Sequence, residues 1–138
     1  MTIESEEAWI RSLVKKPRIL IVDDDELVVS VLSRLCRGMG IESDVCPSAA
    51  CALSFWEKNP PYSAILIDIR LGDVGGDEVF KQIRSKDGIT PIAIVSGYIT
   101  DSLVNELMEC GPVTFIKKPI GLGSAHLHGF FRSIGVIG

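Results

Sequence analysis

Residues 19–25 read Ile-Leu-Ile-Val-Asp-Asp-Asp, a run of four apolar residues followed at once by three aspartates. A short apolar run rich in β-branched residues is typical of a strand that is buried on both faces of a sheet. Adjacent carboxylates repel one another, and a hard divalent cation is the direct way to hold several of them ionised. The stretch therefore predicts a buried strand that ends in an acidic, cation-binding site.

Three other apolar runs end in the same way, on a residue that phosphate chemistry can use. These residues are Asp68 after 65–67, Ser96 after 92–95 and Lys118 shortly after 115–116. If the runs are neighbouring parallel strands, their carboxyl ends share one edge of the sheet, where open α/β folds bind ligands. The pattern predicts that carboxylates, a hydroxyl and an ammonium group converge on one pocket.

Strand-like and helix-like segments alternate along the chain. The predicted strands are 18–22, 42–46, 63–67, 92–95 and 113–117. The segments between them carry apolar residues at helical spacing and begin at residues that cap helices, such as Ser48 and either Thr100 or Asp101. Because each strand is followed by a helix, we expect parallel strands joined by right-handed crossovers, in a three-layer, doubly wound α/β sandwich with a five-stranded sheet.

The two ends of the chain carry weaker helical patterns. Residues 3–16 have acidic residues early, lysines late and Pro17 just beyond, which predicts a short N-terminal helix. A final helix is expected after Ser124, although several glycines weaken it. We divide the chain into an N-terminal helical extension, residues 1–17, and one main domain, residues 18–138.

Composition limits the classes of partner. The formal net charge of −4 gives no electrostatic reason to bind nucleic acid or an anionic membrane. No apolar stretch approaches the ~20 residues that span a bilayer, and the N-terminus is acidic where a secretory signal is basic. The sequence predicts a cytoplasmic protein.

The clustered residues suggest phosphoryl chemistry. Asp23 and Asp24 are candidate Mg²⁺ ligands, and Asp68 beside the cation is a competent nucleophile toward phosphorus. Lys118 could neutralise phosphoryl oxygens, and Ser96 could donate a hydrogen bond to one of them. For Asp25 we prefer a different interpretation, in which its carboxylate stabilises the start of a helix.

Four segments together resemble the receiver domain of two-component response regulators, including the chemotaxis-regulator type. They are residues 19–25, 66–71 (Leu-Ile-Asp-Ile-Arg-Leu), 94–97 (Ile-Val-Ser-Gly) and 115–119 (Phe-Ile-Lys-Lys-Pro), and the resemblance extends from residue 18 to about 120. It implies a flavodoxin-like fold with strand order 2-1-3-4-5.

The resemblance also implies site residues. Asp68 would accept a phosphoryl group from a sensor histidine kinase or a phosphotransfer protein. Asp24 and Asp68 would ligate Mg²⁺ directly together with the backbone carbonyl of Arg70, whereas Asp23 would act mainly through a bound water. Lys118 would pair with the phosphoryl group.

The same resemblance implies a switch. Ser96 would follow the phosphoryl group, and Phe115 would turn inward on activation. The face formed by helix 4, strand 5 and helix 5 would then contact a downstream protein target or form a homodimer. On this interpretation the chain is a signalling domain rather than an enzyme, and it catalyses only its own phosphorylation and dephosphorylation.

Two alternatives remain open from the sequence. A phosphatase of the haloacid dehalogenase type also uses an Asp-x-Asp pair, Mg²⁺, a serine and a lysine, but it needs acidic residues downstream of the lysine, and none occurs from 119 to 138. A pseudo-receiver would be a pure interaction module that never carries phosphate. Against that module stands the full set of acidic pair, acceptor, hydroxyl and lysine.

Overall fold

The five predicted strands pair in parallel, in the order β2-β1-β3-β4-β5. The computed structural model describes residues 16–59, 61–120 and 125–138. Its strands are β1 (Arg18–Val22), β2 (Glu42–Cys46), β3 (Ala64–Ile67), β4 (Ile92–Ser96) and β5 (Thr114–Lys117). The described helices are α1 (Glu26–Gly38), α2 (Ala49–Lys58), α3 (Gly76–Lys86), α4 (Asp101–Cys110) and α5 (Ala125–Ser133). The helix expected at 3–16 lies outside the described residues.

Helices cover both faces of the sheet, so the predicted three-layer sandwich is confirmed. On one face, α2, α3 and α4 bury apolar side chains that include Ala52, Phe80 and Leu107. On the other face, α1 and α5 bury side chains that include Leu32 and Phe131. Because the sheet is covered on both sides, its central strands read as continuous apolar runs.

The strand register places the site. Val22 at the end of β1 lies beside Ile67 at the end of β3, and Ile67 lies beside Ile94 of β4. The residues that follow these positions therefore emerge at the same edge. Strands β3 and β4 are buried throughout and β1 nearly so, whereas β2 and β5 at the two sides of the sheet are partly exposed.

The helix caps match the sequence, and the structure decides between the two candidates for α4. The side chains of Asp25, Ser48 and Thr100 cap α1, α2 and α4, so Thr100 rather than Asp101 is the cap of α4. The helical spacing of apolar residues predicts that Met108 faces the core together with Leu107, but Met108 is 61% exposed. Successive helical residues point about 100° apart, so the narrow buried face of α4, centred on Leu107, leaves Met108 in solvent.

Strand boundaries differ from the expected ones by a single residue at three ends, which is the usual uncertainty of such limits.

Over the described residues, we find no helix with both the length and the apolar character needed to cross a lipid bilayer.

Candidate functional site

Three carboxylates meet at the carboxyl edge of the sheet. One oxygen from each of Asp23, Asp24 and Asp68 lies within 4.8 Å of the other two. The backbone N–H of Asp68 donates to the carbonyl of Val22 over 2.9 Å, which extends the pairing of β1 and β3 one residue beyond the strands. Asp23 and Asp68 are buried, whereas Asp24 is exposed. The structure thus brings together the acidic residues that the sequence singled out.

Lys118 reaches into the same cluster from the end of β5. Its Nζ donates to Asp23 Oδ2 at 2.7 Å and lies 3.2 Å from Asp68 Oδ2. Its backbone N–H donates to the carbonyl of Ser96 over 3.0 Å, and the Lys118–Pro119 peptide bond is cis. One ammonium group faces three carboxylates, so two negative charges in the cluster remain uncompensated.

Burial and pairing act in opposite directions on this cluster. Burial raises the pKa of Asp23 above its ordinary value, although the hydrogen bonds from Lys118 and from the Asp25 N–H oppose the rise. Burial alone would lower the pKa of Lys118, but its contacts with Asp23 and the charge of Asp68 outweigh burial and raise it. Burial therefore disfavours the ionised form of Asp23, and a further positive charge would stabilise that form.

The donor set fits a small divalent cation. Carboxylate oxygens are the hard ligands that Mg²⁺ prefers, and the cation usually keeps several waters. The exposed Asp24 leaves room for such waters, and a charge of two matches the uncompensated charge of the cluster.

Ser96 ends β4 and is fully buried. Its Oγ accepts a hydrogen bond from the N–H of Tyr98 at 3.2 Å. This bond uses a lone pair of the hydroxyl and not its proton, so Ser96 keeps a donor to offer.

Arg70 and Tyr98 form a contact that the sequence did not reveal. The guanidinium carbon of Arg70 lies 3.3 Å from the centroid of the Tyr98 ring, and both side chains are exposed. The stack joins the loop after β3 to the loop after β4. No local pattern pairs the side chain of Arg70 with that of Tyr98.

The loop between β3 and α3, residues 68–75, is held at two points. A Cβ placed on Gly76 would lie 1.8 Å from the carbonyl oxygen of Asp68, so only glycine fits where α3 begins. Asp73 accepts hydrogen bonds from the N–H groups of Ala49 and Ala50 at the start of α2, at 3.1 and 3.3 Å. The bond from Ala49, followed by those from the N–H groups of Val74 and Ala50, holds the pKa of Asp73 below its ordinary value. Sequence reasoning did not identify Asp73.

Phe115, the predicted switch residue, lies on β5 beside Ile94. Its ring is partly buried and packs against the core on the α2, α3 and α4 face.

Comparison with known proteins points to one family. A family model described as the response regulator receiver domain matches residues 19–128. Regulatory protein AtoC of Escherichia coli (strain K12) is 30% identical over 110 residues, which cover 80% of this chain and 24% of AtoC. The chain spans between 24% and 56% of the length of such curated relatives.

Solved structures share the fold. A CheY-like receiver domain protein from Methanospirillum hungatei JF-1 has a TM-score of 0.79 at 24% identity, covering 87% of this chain and 94% of that one. The response regulator TrrA of Thermotoga maritima, solved in complex with Mg²⁺-BeF, has a TM-score of 0.74 at 22% identity, covering 86% of this chain and 98% of that one.

These findings do not favour either alternative. The carboxylate of Asp25, which an Asp-x-Asp phosphatase pair requires, instead accepts the N–H groups of Leu27 and Val28 as the cap of α1. The family match covers the strands and loops that carry the acidic cluster and Lys118.

Proposed function

This chain belongs to the response regulator receiver domain family, and on that basis we propose that it accepts a phosphoryl group on Asp68 in the presence of Mg²⁺ and switches a protein-interaction surface. It is a signalling domain, and the only chemistry that it catalyses is its own phosphorylation and dephosphorylation. The observation that carries the proposal is the position of the Lys118 ammonium, 3.2 Å from the Asp68 carboxylate and bonded to Asp23.

The phosphoacceptor chemistry needs little more than positioning and charge neutralisation. A carboxylate oxygen of Asp68 attacks the phosphorus of a phosphohistidine, and the bond from phosphorus to the imidazole nitrogen breaks with its electron pair left on that nitrogen. Lys118 is close enough to pair with the transferred oxygens, and the Ser96 hydroxyl offers them a donor.

The cation would be held by Asp24, Asp68 and the carbonyl of Arg70, with Asp23 acting through a water. When bound, Mg²⁺ supplies charge neutralisation to the phosphoryl oxygens. Asp23 is kept in place by its own contacts, since its Oδ1 accepts the N–H of Asp25 at 2.9 Å and its Oδ2 accepts Lys118.

The switch would start at Ser96. Its hydroxyl donates its available proton to a phosphoryl oxygen and moves toward it, the loop after β4 shifts, and the partly buried ring of Phe115 moves inward. The face of α4, β5 and α5 would then bind a downstream protein target or a second copy of the chain.

The phosphodonor would dock beside Lys118. An apolar groove of about 360 Å³ runs between α1 and residues 118–120, and it is lined by Leu27, Val28, Val31, Leu32, Lys118, Pro119 and Ile120. Leu27 is 74% exposed. An amphipathic helix of a sensor histidine kinase or phosphotransfer protein would lie in this groove, since the groove borders Lys118 and a histidine on such a helix must come within reach of Asp68. The domain would work in the cytoplasm, where such a donor presents its phosphohistidine, and the net charge of −4 gives no electrostatic reason for direct contact with nucleic acid.

Intact mass tests the acceptor. After incubation with Mg²⁺ and acetyl phosphate, we expect a species heavier by about 80 Da, the mass of one phosphoryl group. Asp68→Asn should abolish it, whereas Asp101→Asn, an aspartate in the first turn of α4, should keep it. An undiminished species in Asp68→Asn, or none in the wild-type chain, would contradict the proposal.

Chemical shifts test the switch. With Mg²⁺ and beryllofluoride, amide shifts should extend from Ser96 through α4 to Phe115. Changes confined to residues 23, 24 and 68 would mean that the site fills without propagating a signal.

A further inference from the structure

Helix α2 receives part of its N-terminal cap from a distant loop. Its own cap residue, Ser48, accepts the N–H of Cys51 at 3.2 Å. The N–H groups of Ala49 and Ala50 donate instead to the two carboxylate oxygens of Asp73, at 3.1 and 3.3 Å. The first N–H groups of a helix have no partner within it, and a local side chain or water usually satisfies them. Here a carboxylate from the β3–α3 loop does so.

The loop that Asp73 holds carries much of the proposed cation site. It begins at Asp68 and includes Arg70, whose carbonyl is a proposed ligand. A Cβ on Gly72 would lie 3.9 Å from Asp24 Oδ2, so this backbone forms a wall beside that carboxylate. Gly72 and Gly75 flank Asp73, and glycines give a loop more conformations to lose when it becomes ordered. A contact at Asp73 is therefore needed to hold this loop backbone in one position beside Asp24.

The start of α2, which donates to Asp73, is itself connected to the acidic cluster. Helix α2 follows β2, and the carbonyl of Cys46 at the end of β2 accepts the N–H of Asp23 over 3.1 Å. Asp23 is thus connected to the start of α2 through Cys46, and Asp73 connects the start of α2 back to the loop that follows Asp68. These contacts link both Asp23 and the loop after Asp68 to the start of α2.

We propose that Asp73 is a positioning residue for the cation site, because its bonds to Ala49 and Ala50 fix the β3–α3 loop against α2. The inference rests on the proposed function and adds a residue that acts through the loop rather than by touching the cation. Residues that orient metal ligands typically change metal affinity by roughly tenfold or more when removed.

Calorimetric titration with MgCl₂ tests this role directly. Asp73→Ala should weaken Mg²⁺ binding by roughly tenfold. Asp73→Asn should weaken it less, because an amide oxygen can still accept one of the two bonds. In the mass assay with acetyl phosphate, the Mg²⁺ concentration that gives half of the maximal rate should rise by the same factor, while the rate at saturating Mg²⁺ stays at the wild-type value.

Two control variants show whether a loss of Mg²⁺ affinity comes from the position of the loop, from lower stability of the fold or from the loss of a negative charge. Asp87→Ala removes a comparable set of loop hydrogen bonds, to Ile89 and Thr90 at the other edge of the sheet, and should lower the melting temperature without changing Mg²⁺ affinity. Asp77→Asn removes a charge at the start of α3 and should change affinity less than Asp73→Ala does.

Equal Mg²⁺ affinity in wild type and Asp73→Ala would overturn the inference and leave the proposed function standing. So would an equal loss of affinity in Asp87→Ala. A wild-type chain that binds no Mg²⁺ would overturn the proposed function itself. If circular dichroism shows that Asp73→Ala does not fold, the Mg²⁺ affinity of Asp73→Asn is compared with that of wild type instead. Equal affinity in those two chains would overturn the inference.

Discussion

The site has two halves that are held very differently. The acidic half consists of Asp23, Asp24 and Asp68 with the loop 69–75, and it stands on the buried strands β1 and β3. It is tied by backbone bonds to Val22 and Cys46 and by the cap that Asp73 places on α2. The responding half consists of Ser96, residues 97–99 and β5, where Tyr98 is 56% exposed and Phe115 is only partly buried.

The difference follows from what each half has to do. Like charges can be kept together only by a framework that is fixed before the cation or phosphoryl group arrives, which is electrostatic preorganisation. A switch needs the opposite, namely an element whose alternative arrangement costs little, and such elements have few buried contacts. We therefore expect the acidic half to keep its arrangement, and the loop and β5 of the responding half to move, when the site fills.

The largest effect is expected from a single methyl group where the acidic half meets α3. Gly76→Ala should destabilise the fold by about 3 kcal/mol, because the new Cβ would overlap the carbonyl of Asp68. Gly97→Ala in the responding half should change stability by less than about 0.5 kcal/mol, since nothing lies within 4 Å of that Cβ position. Urea unfolding measures both, and equal effects would remove the contrast between the halves.

Removing the ammonium that bridges the halves should cost less. Lys118→Met should destabilise by about 2 kcal/mol, because it leaves the buried Asp23 carboxylate without its partner, and Mg²⁺ should recover part of the loss. Lys117→Met is the matched control, because Lys117 is exposed and its loss should be nearly neutral. A larger effect at Lys117 would show that the Lys118 pair contributes little.

Acid titration should reveal the strain within the acidic half. Burial raises the pKa of Asp23 in the folded chain, so protonation of Asp23 stabilises the fold. This stabilisation is fully present below the pKa of the unfolded chain, about 3.9. This contribution is lost as the pH rises through the raised folded pKa. Asp23→Asn should flatten this part of the stability profile in Mg²⁺-free buffer. A profile identical to wild type would argue against burial as the cause.

The smallest effect concerns the stack that joins the halves. A double-mutant cycle of Arg70→Met and Tyr98→Leu should give a coupling energy of about 0.5 kcal/mol, as exposed cation–π pairs do. Tyr98→Phe keeps the ring and should preserve the coupling. A coupling energy of zero in chemical denaturation would mean that the halves are joined only through Lys118 and the backbone.

Much of the fold was readable from local pattern. Apolar runs such as 19–22 and 65–67 predict buried strands because burial on both faces removes the need for polar residues, and the residue that ends each run marks the sheet edge. The prediction of buried positions failed where the packing of a neighbouring element determines whether a side chain is covered. Met108 continues an apolar helical pattern, yet α4 has too narrow a covered face to bury it.

The sequence by itself determined the order of strands and helices, the cap of α1 and the residues that gather at the carboxyl edge, because spacing within one segment controls each of these. Only the tertiary structure decided that Lys118 bonds to Asp23, that Arg70 stacks on Tyr98 and that Asp73 caps α2. Each of these contacts joins residues from different elements. Their distances depend on how loops approach one another after the layers have packed, and no local periodicity encodes that approach.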